Sequence, residues 1–259
     1  MMATPRRAAA TSAQVSTQGD ETLAAALAMI AGYVDAYGYL TFKTYLSFMS
    51  GNTTQTGFLT GQGDVAAAMP SLLAIVSFVI GIFTGTSLTY SGTHRSWRVR
   101  FAVVAALLAM SMGLTPLGWS RGAVGIATLS VAMGIMNTAL SHVGAQPMSL
   151  TFVTGTLTRM GTHLALAVTR APLPDAQGPW DTHGRRALLL LGVWAGFLTG
   201  AMLGGAAIPR FGVWVLLPPL LTLLALAVLG RRPERTCTRQ PVNDADATAL
   251  ASGNLGPEP

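Results

Sequence analysis

The chain has 259 residues, of which 51% are hydrophobic and only 10% charged. A soluble domain carries about 25% charged residues, so this composition excludes an ordinary soluble fold and marks an integral membrane protein. The net charge of +6 does not point to nucleic acid. Its arginines form short clusters between apolar runs, the pattern that sets membrane topology.

Residues 1–21 read as a disordered cytoplasmic tail. Arg6 and Arg7 are followed by a polar stretch where a signal peptide needs its apolar core. Runs long enough to cross a roughly 30 Å hydrocarbon core then follow at 22–40, 67–90, 101–117, 122–141, 187–206 and 211–229. Two further segments, 46–59 and 148–168, are amphipathic, and each carries a run of small polar residues. Residues 231–259 are polar and aperiodic, and read as a second disordered cytoplasmic tail. The single cysteine, Cys237, lies there and excludes an internal disulfide.

The basic clusters arbitrate the sides. Placing Arg95, Arg98 and Arg100, then Arg170, Arg185 and Arg186, then the Arg231–Arg239 cluster in the cytoplasm requires 148–168 to enter and return on one side, and if 46–59 does likewise Arg6 and Arg7 also fall inside. Lys43, the only lysine, is the exception. If both segments were full spans, loops of like charge would alternate sides.

Four landmarks recur in one order, at offsets of 102 to 115 residues. Gly32-Tyr33-Val34-Asp35 is echoed by Gly134-Ile135-Met136-Asn137, and Ser50-Gly51-Asn52-Thr53-Thr54 by Thr154-Gly155-Thr156-Leu157-Thr158. Gly81 and Gly85 are echoed by Gly196 and Gly200, and Arg100-Phe101 by Arg210-Phe211. The expected fold is an all-α integral membrane protein of about six transmembrane helices plus two re-entrant half-helix segments. It divides into two repeats, 22–118 and 119–230. Three spans per repeat make the copies inverted. The expected location is the bacterial inner membrane, with both termini cytoplasmic.

Asp35 is the one acid inside an apolar run, where a charge must be paired, hydrated or neutralised. It reads either as a proton- or cation-coupling group or as a helix-to-helix hydrogen-bonding group. Its repeat partner is Asn137. Gly32, Asp35, Ala36 and Tyr39 share one helix face, as do Gly134, Asn137, Thr138 and Ser141, so the faces either line one cavity or pack together.

Ser50, Gly51, Asn52, Thr53 and Thr54, with Thr154, Gly155, Thr156 and Thr158, read as openings of half-helices. Ser50 and Thr154 are the expected N-caps, and the free N–H groups would favour an anion. A small-residue packing seam is the competing reading. Arg159 then pairs with Asp35 or an anionic solute, or snorkels to the interface. The Gly81/Gly85 and Gly196/Gly200 pairs read as helix-crossing seams.

Met49-Ser50-Gly51 resembles part of the rhomboid-protease nucleophile motif, but Phe48 stands where that motif has glycine, so no enzyme is expected. His94, His142, His163 and His183 lack metal-ligand spacing, and neither a metal nor a cofactor is expected.

At Gly32-x-x-Asp35-Ala36, Ser50-Gly51-Asn52-Thr53, Gly134-x-x-Asn137 and Thr151-x-x-Thr154-Gly155-Thr156 the chain resembles the YoaK family of bacterial inner-membrane proteins, a domain of unknown function. Ser50 replaces a usual threonine, and Met136 stands where the family often has glutamine. The resemblance implies a multi-span membrane protein and supplies no substrate. The residues themselves lead to a small secondary transporter or permease for a small polar or anionic solute, in the bilayer and able to self-associate. A non-transporting assembly or sensing protein is the alternative.

Overall fold

A computed structural model describes residues 5–90, 96–115, 122–139, 142–143, 146–147, 153–176 and 178–229. The expectations for the 231–259 tail, for His94 and Arg95, and for 148–152 lie outside these residues. The elements are α1 (Pro5–Phe42), α2 (Met49–Gly61), α3 (Val65–Tyr90), α4 (Ser96–Leu114) and α5 (Ala123–Asn137). A two-residue antiparallel ladder follows, β1 (His142–Val143) with β2 (Gln146–Pro147). Then come α6 (Val153–Val168), α7 (His183–Phe211), a 3-10 turn (Gly212–Leu216) and α8 (Leu217–Leu229).

Every apolar run of the sequence emerges as a helix, because backbone polar groups in lipid must be satisfied within their own segment. Four stretches are long and apolar enough to cross a membrane: Gly19–Phe42, Val65–Thr89, Trp97–Leu114 and His183–Leu229. The last is interrupted at Gly212, whose φ of 53° lies in the left-handed region. The outward faces stay apolar, as at Val79, Ile80 and Phe83 of α3, which suits a lipid surround. The helix α1 begins at Pro5, upstream of the expected start at residue 22, so the stretch expected to be disordered is helical from Pro5 onward.

Two seams hold the bundle. Along α7, Gly196, Gly200 and Gly204 come one per turn and meet the carbonyl oxygens of Ala25, Met29 and Tyr33 on α1, which also come one per turn. Gly32 answers from α1 against the carbonyl of Phe197. In the other seam, Gly81 of α3 meets the Val131 carbonyl of α5, Gly85 meets Ile135 and Thr138, and Gly134 meets the Phe78 carbonyl. Lipid tails are as apolar as leucine, so close backbone approach and dispersion supply what the hydrophobic effect cannot. The expected helix-crossing role of these glycines is what the structure displays.

The short helices pack differently. The helix α2 lies against α3, α6 against α7, and α8 against α4. At 13 and 16 residues, α2 and α6 are about 20 and 24 Å long, less than a hydrocarbon core. The Arg-Phe landmarks fall in unlike places: Arg100 and Phe101 are buried within α4, whereas Arg210 and Phe211 are exposed at the end of α7. The Arg100 guanidinium donates to the Thr138 carbonyl at the C-terminus of α5, where the helix dipole favours a cation.

Candidate functional site

The site forms where α1 hands over to α2. Asp35 lies two turns before the end of α1 and is buried at 3% exposure. Its Oδ1 accepts from the backbone N–H of Leu46 at 2.8 Å and of Ser47 at 2.7 Å, and its Oδ2 accepts from the Ser47 hydroxyl at 2.8 Å. Loop 43–48 therefore dips back along α1 by about 10 Å from Phe42. Asn52, fully buried on the first turns of α2, clamps the same loop in both directions. Its Oδ1 accepts from the Tyr45 N–H at 3.1 Å, and its Nδ2 donates to the Tyr45 carbonyl at 2.7 Å.

The direction of α2 follows from Gln55, whose Nε2 donates to the Lys43 carbonyl at 3.3 Å. Lys43 is the residue after α1 ends, so α2 climbs back toward the end from which the loop descended. Above the loop lies an open groove of 470 Å³, walled by Tyr39, Lys43, Tyr45, Phe48, Ser50, Gly51, Thr54, Gln55 and Phe58. The rings of Tyr39 and Tyr45 stack at 4.9 Å between centroids, and Phe48 meets Tyr45 edge-on at 5.3 Å.

The expected N-cap role of Ser50 is corrected. The helix α2 starts at Met49 with Phe48 in the cap position and no side-chain cap. Thr53 and Thr54 donate back to the carbonyls of Met49 and Ser50 in their own helix. The Asp35 and Asn52 side chains fasten the loop ahead of α2, at Tyr45, Leu46 and Ser47, and not the helix's own first N–H groups. On α6, Thr154 and Gly155 lie within the first turn, Thr156 is buried, and Thr158 donates to the Thr154 carbonyl. Arg159 is exposed, while the groups that hold Asp35 come from the loop after its own helix. Asn137 is the last residue of α5. The two small-polar runs sit on helices that pack against different partners, and the groove is bordered by the first run only.

A second polar cluster was not singled out by the sequence. Arg186 of α7 is buried and grips Asp181 through Nε at 2.9 Å and Nη2 at 2.7 Å, and Asp175 through Nη1 at 2.9 Å. Arg185 pairs with Glu21 of α1 at 3.0 Å and lies 4.7 Å over the Trp180 ring. Thr182 caps α7 by accepting from the Arg185 N–H at 3.2 Å. That cap, a threonine five positions before the apolar run at 187–206, was the legible signal. Ser71, Ser111 and Ser130, on α3, α4 and α5, are buried without a hydrogen-bond partner among the described residues.

His163 of α6 faces His183 at the start of α7, with 2.9 Å between their Nδ1 atoms. One ring must donate and the other accept. Burial, the facing His183 and then Arg186 lower the affinity of His163 for a proton below the ordinary imidazole range, against the opposing pull of Asp175 and Asp181. The helix α6 lies outside the four candidate spans. A base whose folded pKa is depressed binds more protons when unfolded, so this contribution to stability is complete above about pH 6.5 and shrinks as pH falls below it. Melting temperatures of the wild type and His163→Gln, followed from about pH 8 to pH 5, should diverge only on the acid side, with the wild type losing more. Parallel curves would exclude the effect.

A family model described as "Protein of unknown function (DUF1275)" matches residues 23–229. The UPF0700 transmembrane protein RA0705 of Rhizobium meliloti (strain 1021) is 30% identical over 224 residues, covering 84% of this chain and 89% of that one. The UPF0700 transmembrane protein YoaK of Bacillus subtilis (strain 168) is 30% identical over 142 residues, covering 52% of this chain and 63% of YoaK. No solved structure matches. With its apolar helices and a match from the first span to the last, the chain is a transmembrane protein and belongs to the DUF1275 family.

Proposed function

We propose that this protein is a small inner-membrane permease in which loop 43–48 is a re-entrant element anchored by Asp35. The observation that carries the reading is the clamp itself. A buried acid on a spanning helix holds irregular backbone about 10 Å inside that helix's end, beside an open groove. Irregular backbone at such depth is tolerated where it is buried in protein or lines a watered cavity. Protonating Asp35 takes the charge out of three hydrogen bonds at once, which links protonation to how tightly the loop is held.

The seams support a duplicated, inverted architecture. The first helix of each half packs on the third helix of the other, α1 on α7 and α5 on α3. Val131 and Ile135 face Gly81 and Gly85, as their counterparts Met29 and Tyr33 face Gly200 and Gly204. These contacts pair Gly85 with Gly204, one turn beyond the Gly200 that sequence similarity suggests. In this reading α2 and α6 are half-helices entering from opposite faces, both termini are cytoplasmic, and the solute is small and polar or anionic.

The test uses proteoliposomes with a trapped pH dye, challenged with a panel of carboxylates and phosphate monoesters. Wild-type protein should give a solute-dependent pH transient that Asp35→Asn abolishes. An unchanged transient in Asp35→Asn removes the coupling role, and silence across the panel favours a non-transporting assembly or sensing protein. One observation favours that second reading: the hydrogen bonds to Asp35 come from its own loop rather than from a shared cavity.

A further inference from the structure

We propose that the groove above loop 43–48 binds the phosphate head of an anionic amphiphile, with Lys43 as its cation and the Tyr39–Tyr45 stack as the bed for the adjoining apolar part. The inference names the ligand class of the groove, and rests on the permease reading in treating that ligand as cargo.

Lys43 is the only lysine of the chain, and no carboxylate pairs with it among the described residues. Its Nζ lies 5.8 Å from the centre of the Tyr39 ring, over one wall of the groove. Its φ is 57°, a left-handed conformation that a residue with a β-carbon adopts at a cost and that glycine or asparagine enters readily. The backbone is nonetheless held there: the Lys43 N–H donates to the Tyr39 carbonyl at 3.0 Å, and its carbonyl accepts from Gln55. The turn alone would suit asparagine or glycine better, so what lysine adds is its ammonium. Strain kept at a groove is a mark of function.

Depth selects the ligand. Lys43 directly follows Phe42, the last residue of the candidate span Gly19–Phe42, and a lysine at the end of a span is suited to meet lipid headgroups. Gln55 and Ser50 add polar groups on one side of the groove, and the exposed ring of Phe58 adds an apolar one. A cation, polar groups and an aromatic floor at the end of a span suit an anion with an attached chain better than a fully hydrated ion.

The full chain, purified in neutral detergent, is titrated calorimetrically with hexyl phosphate and with inorganic phosphate. Native mass spectrometry compares its retention of phosphatidylglycerol with that of phosphatidylcholine. Hexyl phosphate should bind more tightly than inorganic phosphate, and phosphatidylglycerol should be retained over phosphatidylcholine. Lys43→Asn should weaken hexyl phosphate about fivefold and erase the lipid preference, while Lys43→Arg keeps both. Because asparagine accepts the left-handed turn, the melting temperature of Lys43→Asn should hold or rise, which separates lost charge from lost fold. Equal affinity in Lys43→Asn and wild type, or inorganic phosphate binding as tightly as hexyl phosphate, overturns the proposal. Binding without a pH transient fails the permease reading alone. A transient with hexyl phosphate affinity unchanged in Lys43→Asn fails this inference alone.

Discussion

Asp35→Ala should destabilise the protein by about 3 to 5 kcal/mol, and Asp35→Asn by only about 1 kcal/mol. Alanine removes the acceptor of three hydrogen bonds and leaves the N–H groups of Leu46 and Ser47, with the Ser47 hydroxyl, buried and unmatched. Asparagine keeps one oxygen in place of Oδ1 for the two N–H groups, and its amide donates where Oδ2 accepted. The Ser47 hydroxyl rotates to accept that donor, so the geometry survives without the charge. Unfolding in detergent gives the two energies. Hydrogen exchange at Leu46 and Ser47 gives the local readout: protected in wild type and in Asp35→Asn, open in Asp35→Ala. Equal losses for the two variants would mean that the charge matters and the clamp does not. The near-native fold expected of Asp35→Asn is what makes it the right variant for the flux measurement.

Gly200→Ala should cost about 3 kcal/mol, whereas Gly192→Ala and Gly205→Ala on the same helix should be neutral or stabilising by up to about 1 kcal/mol. A β-carbon at Gly200 would fall well inside van der Waals contact with the Met29 carbonyl, and backbone does not move aside as a flexible side chain does. The seam between α1 and α7 must then open, and every contact along it weakens together. Nothing lies within 4 Å of a β-carbon at Gly192 or Gly205, so there alanine brings only its better helix propensity. Opposite signs on one helix control for a general intolerance of substitution. Uniform destabilisation at all three positions would argue against a close α1–α7 crossing.

Hydropathy and small-residue spacing were enough for much of the fold. An apolar run in lipid has one way to satisfy its backbone, so each expected run is mainly helical, although among the described residues four stretches rather than six are long and apolar enough to cross. The glycine pairs announced close crossings because small residues at helical spacing let two backbones approach. What spacing does not carry is the partner. The four-residue glycine repeat does not say that α7 lies on α1 rather than on its chain neighbour α6 alone. Sequence similarity likewise matches Gly200 to Gly85, while the contacts favour Gly204.

The candidate site was half legible. A lone acid in a span is conspicuous because its desolvation is expensive. The small-polar run beside it is conspicuous for the same reason, and both adjoin the loop. Their roles were not legible. Ser50 looked like a cap, yet Asn52 and Asp35 do the holding, and Ser47 carries no sequence signal at all. The clamp joins residues 11 and 12 positions apart across a reversal of the chain, which no local periodicity encodes. Arg186 with Asp181 and Asp175, and His163 with His183, are hidden for the same reason.

The sequence by itself determined that this is a membrane protein, where its helices run, and which buried acid must find partners, because burial in lipid penalises each unmatched polar group one residue at a time. The tertiary structure alone decided which partners those are, that the loop after α1 turns inward and α2 climbs back, and that Lys43 is left facing a groove. Those outcomes depend on how distant segments pack, and packing is a property of pairs of segments that no single segment contains.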